Sequence, residues 1–131
     1  MSKSYGNTID IFAEGNALKK PVMSIVTDST PVADPKDPAK DNVYALYSLV
    51  ATEEEKGEMA ERYRAGGLGY GEVKKALLAK LDSYFAPARA RHKELEKHPK
   101  DLEDILQEGA RKARAEAQKT MDLVRRATGL R

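Results

Sequence analysis

The chain has 131 residues, of which 34% are charged and 40% hydrophobic, with a formal net charge of +2 and no cysteine. That length suits one domain with a modest core, and the missing thiols exclude a disulfide framework and a thiolate metal site. No apolar run approaches the ~20 residues that span a bilayer, the polar opening has no secretory pattern, and +2 is too small to announce a nucleic-acid binder.

Residues 1 to 10 hold Ser, Gly, Asn and Thr without a helical period and read as a loop. From Phe12 to Asp28, apolar residues at Leu18, Val22, Ile25 and Val26 predict a helix on a core, with Pro21 starting a second piece or kinking it. Asp28 to Asp41 contains three prolines and four aspartates, which makes it a connector. Asn42 to Ala51 predicts a short helix with Val43, Leu46, Tyr47 and Val50 on one stripe. Thr52 and Glu55 then have capping-box spacing, so a helix restarts and runs to about Arg64, where Gly66, Gly67 and Gly69 end it.

A longer helix follows from Tyr70 or Gly71. Val73, Leu77, Leu81, Tyr84, Ala88 and Leu95 form its expected apolar stripe, and Pro87 its expected kink. His98-Pro99 separates it from a last helix reaching Thr128, whose expected buried face is Leu102, Ile105, Leu106, Ala110, Ala113, Ala117, Met121 and Val124. No strand pattern of useful length occurs. The expected fold is all-α, a small helical bundle, with residues 1–12 as a loop and 13–131 as the helical domain.

Positive charge collects late in the chain. From Gly109 to Arg131 there are seven cations, Arg111, Lys112, Arg114, Lys119, Arg125, Arg126 and Arg131, against Glu116 and Asp122. On a face turned from the apolar stripe, such side chains suit a phosphate backbone, and Arg89, Arg91 and Lys93 extend the set from the preceding helix. The bland reading is a solvated helix face whose cations favour the helix C-terminus. His92 and His98 have no metal-spaced companions, and Glu53-Glu54-Glu55 reads as a helix N-terminus rather than a catalytic cluster.

Met1-Ser2-Lys3-Ser4 resembles most of the KMSKS signature, the mobile ATP-contacting loop of class I aminoacyl-tRNA synthetases, without its leading lysine. The context adds to this: MSKSYGNTI, then VMSIVTDSTP, Gly69-Tyr70-Gly71-Glu72-Val73-Lys74 as GYG-x-x-K, Pro87-Ala88-Arg89-Ala90-Arg91, Ile105 to Arg114, and Val124-Arg125-Arg126 before Gly129-Leu130. In this order, and over essentially the whole chain, these landmarks resemble the bacterial tryptophanyl-tRNA synthetase family. The resemblance implies an α-helical anticodon-binding region, ATP with Mg²⁺ as substrate, a tryptophan-specific tRNA partner, a homodimeric parent enzyme and a cytoplasmic setting.

It also implies site residues. Lys3 would close on the charge that builds as pyrophosphate leaves, with Ser2 and Ser4 supporting it at the phosphates. Arg89, Arg91, Arg111, Lys112, Arg114 and Lys119 would contact tRNA. The family's HIGH-like motif and amino-acid pocket belong to an N-terminal catalytic domain. A chain starting at Met1 is expected to lack both and to be inactive alone. The alternative is a stand-alone tRNA-binding or protein-interaction module.

Overall fold

A computed structural model of the chain describes residues 3–129, the side chain of Lys3 excepted. Five α-helices follow in order: α1 Gly15–Met23, α2 Asn42–Tyr47, α3 Glu53–Ala65, α4 Tyr70–Lys97 and α5 Pro99–Thr128. Short 3-10 turns cover Lys3–Tyr5 and Pro38–Lys40. Among the described residues there is no strand, so the fold is all-α as expected. The chain divides into two compact units, Met1–Ala90 and Arg91–Arg131.

The first unit is held by residues converging from four helices. Leu18 and Val22 of α1, Val43 and Tyr47 of α2, Met59 and Tyr63 of α3, and Val73, Leu77 and Leu81 of α4 are buried in one cluster with Leu68. Ile9 and Ala13 pack against the same cluster, so the root of the opening segment belongs to this unit. The i, i+4 spacing along α4 explains its contribution, because such residues stack on one helix face.

Several helix boundaries differ from expectation. The first helix starts at Gly15 rather than Phe12, because the Phe12 amide donates to Asp10 Oδ1 at 2.9 Å in a local turn. It ends soon after Pro21: the Ser24 amide donates to Lys20 O and Pro21 O, and Ser24 Oγ to Pro21 O at 2.8 Å. Val26, expected in the core, is therefore past the helix and 77% exposed. The second helix is regular only to Tyr47, with looser turns carrying the chain on to Ala51. The start of α3 matches expectation. The Thr52 amide donates to Glu55 Oε2 at 2.9 Å, and the Glu55 amide returns a bond to Thr52 Oγ1 at 3.4 Å.

The proline-rich connector is ordered by polar contacts that composition did not reveal. Lys36 is buried, and its Nζ donates to the carbonyls of Pro31 at 2.8 Å, Asp34 at 3.1 Å and Val32 at 3.4 Å, beneath the Tyr70 ring. Asp41 caps α2 by accepting from the Tyr44 amide at 2.7 Å and also accepts from the buried Tyr63 hydroxyl at 2.8 Å. Gly66, at φ +78°, lies so close to the connector that a Cβ there would meet Ala33 O at 2.5 Å. Only glycine fits that approach.

The stripe of α4 turns away from the expected one past Leu81. Tyr84 and Ala88 are exposed, while Phe85 is half-buried against the core and Arg89 is buried. The series 73, 77, 81, 85, 89 keeps a strict spacing of four, which outweighs the mixed spacing read from hydrophobicity alone. In α5 the correction is larger. The face expected to be buried contributes no buried residue, and Leu102, Ile105, Leu106, Met121 and Val124 are 43–59% exposed.

Candidate functional site

The opening segment has a fixed root and an exposed tip. At the root, the Phe12 amide donates to Asp10 Oδ1, the Ala13 amide donates to Asp10 O at 3.2 Å, and Ile11 O accepts from Arg89 Nε at 2.9 Å. From Ser4 to Thr8 the chain is exposed, turning at Gly6 with φ +62°. Ser4 thus lies on the accessible part. Ser2 and the side chain of Lys3 fall outside the described residues.

Beside this segment is a cleft of about 430 Å³, lined by Gly6, Asn7 and Ile9, by Pro21, Ser24, Ile25 and Val26, and by residues of α2 including Asn42 and Leu46. Asn42 Nδ2 donates across it to Val26 O at 3.3 Å, tying α2 to the stretch that leaves α1. The walls are part aliphatic and part amide or hydroxyl. Among the described residues no group of three His, Asp or Glu side chains could hold a metal ion.

Two sequence landmarks far apart in the chain meet within the first unit. The Tyr70 hydroxyl of the GYG element donates to Asp28 Oδ1 in the TDS segment, and Lys74 Nζ donates to Met23 O at 3.1 Å at the end of α1. The Tyr70 hydroxyl holds the Asp28 carboxyl below its usual range, helped by the Thr30 amide. Burial, then the same carboxylate, pushes the Tyr70 hydroxyl up to about 12. GYG-x-x-K therefore clamps the end of α1 and the start of the connector. This contact joins residues 42 positions apart and was invisible to local spacing.

The expected tRNA-contacting cations separate into distinct groups. Arg89 is 4% exposed, its guanidinium bound within the first unit, so this structure does not offer it to an external phosphate. In the second unit, Arg91 pairs with Glu94 at 2.8 Å, Arg111 and Lys112 share Glu108, and Lys119 pairs with Glu116 at 2.8 Å. Arg114 makes no ion pair among the described residues. Lys112, Lys119 and Arg126 recur every seven residues and share one face of α5, while Arg111, Arg114 and Arg125 share another. These exposed pairs are worth little in water, so a phosphate can replace the carboxylate partner. The Arg91–Arg131 unit buries no charged side chain among its described residues.

No protein-family model matches the chain. Its sequence is 51% identical over 131 residues to a tryptophan–tRNA ligase of Rhodopirellula baltica, covering 100% of this chain and 41% of that protein. It is 42% identical over 130 residues to a tryptophan–tRNA ligase of Fusobacterium nucleatum, covering 40% of it. The chain thus spans about two fifths of the length of the curated relatives it matches. Among solved structures, a tryptophanyl-tRNA synthetase of Campylobacter jejuni, complexed with ADP and tryptophan, superposes with a TM-score of 0.82 at 45% identity. That match covers 99% of this chain and 41% of that one. Along its full length the chain is homologous to the C-terminal portion of tryptophan–tRNA ligases.

Proposed function

We propose that this chain serves as the C-terminal helical portion of a tryptophan–tRNA ligase, which activates tryptophan with ATP and Mg²⁺ and transfers it to its tRNA. The observation that carries the reading is similarity along the whole chain, 51% identity over 131 residues, with the opening segment included in the match. The tryptophan pocket and the HIGH-like motif reside in a catalytic domain outside these residues. The parent enzyme works in the cytoplasm as a homodimer.

Within it, Lys3 brings a positive charge to the leaving pyrophosphate, and Ser2 and Ser4 supply hydroxyls to the phosphate oxygens. The exposed tip and anchored root of residues 4–13 support this role, because a loop that closes on ATP needs a mobile end and a fixed base. On α5, the row Lys112, Lys119 and Arg126 is the better match to a phosphate track, with Arg111 and Arg114 beside it. Arg91 belongs to the same proposal.

The test has two arms. The isolated chain should give no tryptophan-dependent ATP–pyrophosphate exchange; measurable exchange would overturn the division of labour. In the intact ligase, Lys3→Ala should slow exchange by about 100-fold. Lys112→Ala with Lys119→Ala should weaken tRNA binding and flatten its salt dependence by about two counterions. Exchange at the parental rate in the Lys3→Ala enzyme would remove the ATP-loop assignment.

A further inference from the structure

Arg89 is the most deeply buried cation of the molecule among the described residues, at 4% exposed. It stands two residues after Pro87 on α4. Proline has no amide hydrogen, so it cannot serve the carbonyl four residues back, that of Ser83. Helical side chains lean toward the N-terminus, so a long side chain at position 89 reaches back along the preceding turns. Arg89 does so: Nη1 donates to Asp82 O at 3.0 Å and to Asp82 Oδ1 at 2.7 Å, and Nη2 approaches Leu81 O at 3.4 Å.

That leaves Nε, which donates to Ile11 O at 2.9 Å across a separation of 78 residues. One guanidinium therefore ties the α4 turn at Leu81 and Asp82 to the root of the opening segment. A planar group with five donors in fixed directions can do this; an ammonium on a flexible stem cannot hold both sides at once. Asp82 is 65% exposed, so its carboxylate neutralises the buried cation without itself being buried.

Just beyond Ile11, toward the N-terminus, Ile9 still packs on the core, and from Thr8 to Ser4 the chain is exposed. The Arg89 bond and the Asp10 turn are two of the contacts that fix where this tip begins. We propose that Arg89 is a positioning residue for the opening loop: its hold on Ile11 O sets the base from which Ser4 and its neighbours reach the ATP phosphates. The inference rests on the ATP-loop reading of residues 1–12. It also replaces the expectation that Arg89 contacts tRNA.

The test uses Arg89→Met and Arg89→Lys. In the 131-residue chain, hydrogen–deuterium exchange at the Phe12 and Ala13 amides should quicken by about tenfold in Arg89→Met, with α3 amides less affected. In the intact ligase, KM for ATP in pyrophosphate exchange should rise by about tenfold, while KM for tryptophan stays within about twofold. Arg89→Lys, which keeps the charge and one bond, should restore part of the ATP effect and guards against a Met variant that fails to fold. Asp82→Asn, which leaves the Ile11 bond in place, should keep KM for ATP within about twofold of the parent.

Arg89 is merely a structural staple if both Arg89 variants lose thermal stability but leave loop exchange and KM for ATP unchanged. That result would overturn the proposal. Lys3→Ala in the same assay separates the two readings. If Lys3→Ala abolishes exchange while Arg89→Met spares KM for ATP, only the Arg89 role falls. If Lys3→Ala is silent, the ATP-loop reading itself falls and takes this inference with it.

Discussion

Two helices in this chain carry clear amphipathic stripes, yet they end in opposite states. In the first unit, Val73, Leu77 and Leu81 of α4 are buried against side chains from α1, α2 and α3. In the second, the Leu102, Ile105, Leu106, Met121 and Val124 stripe of α5 remains 43–59% exposed. A helical period states that a face is apolar; it does not state what covers it. The buried stripe has three other helices supplying complementary residues within ninety positions of chain. On α5, no described residue is buried.

Core truncation should break this contrast most sharply. Leu77→Ala should cost about 2–5 kcal/mol in urea unfolding, because a fully buried leucine leaves a cavity. Ile105→Ala on the exposed stripe should cost no more than about 0.5 kcal/mol. All six tyrosines precede Arg91, so tyrosine fluorescence follows the first unit and far-UV circular dichroism follows both. Equal losses from the two substitutions would mean that the α5 stripe is covered in solution.

Glycine substitutions should separate the regions by sign. Gly66→Ala forces a side chain into positive φ and against Ala33 O, and should destabilise the first unit by about 1–3 kcal/mol. Gly109→Ala meets no atom within 4 Å and sits inside α5, so it should raise helicity and stabilise that helix by about 0.5–1 kcal/mol. Thermal melts of both variants check this. A destabilised Gly109→Ala would show that something approaches α5 at that point.

The smallest expected effect is on acid stability, and it belongs to the first unit. Glu55 lies below its ordinary 4.5 first because Lys80 donates to it, then because the Thr52 amide does. A lowered folded value means the unfolded chain takes the proton more readily. The contribution is therefore present above the ordinary value and is lost as pH falls through the folded one. Glu55→Gln keeps an acceptor for the cap but loses the charge, so its stability should fall less steeply below about pH 4.5. A parallel acid limb in the two proteins would remove Glu55 from the account.

Much of the fold was legible in sequence because its signals are local. The Thr52/Glu55 capping box, the glycine stop after α3 and the Pro99 start of α5 each act within one turn, and all three stand where spacing put them. The connector was legible only as a connector. Its order comes from Lys36, whose ammonium gathers three backbone carbonyls, and from Tyr70 and Tyr63, whose hydroxyls reach Asp28 and Asp41 from other elements. The family landmarks of the opening segment were equally visible, whereas the anchor of that segment was not. Arg89 read as one more cation in a basic run, since nothing in PARAR says that a carbonyl 78 residues away completes its shell.

By itself, the sequence determined an all-α chain, the start and stop of α3 and the start of α5, and a whole-length likeness to one synthetase family. Caps, periods and ordered motifs are written in neighbouring residues. Only the tertiary structure decided which apolar stripe is buried and which cation is internal. Burial and hydrogen-bond partnership depend on residues distant in the chain, and a side chain of given type can satisfy either state.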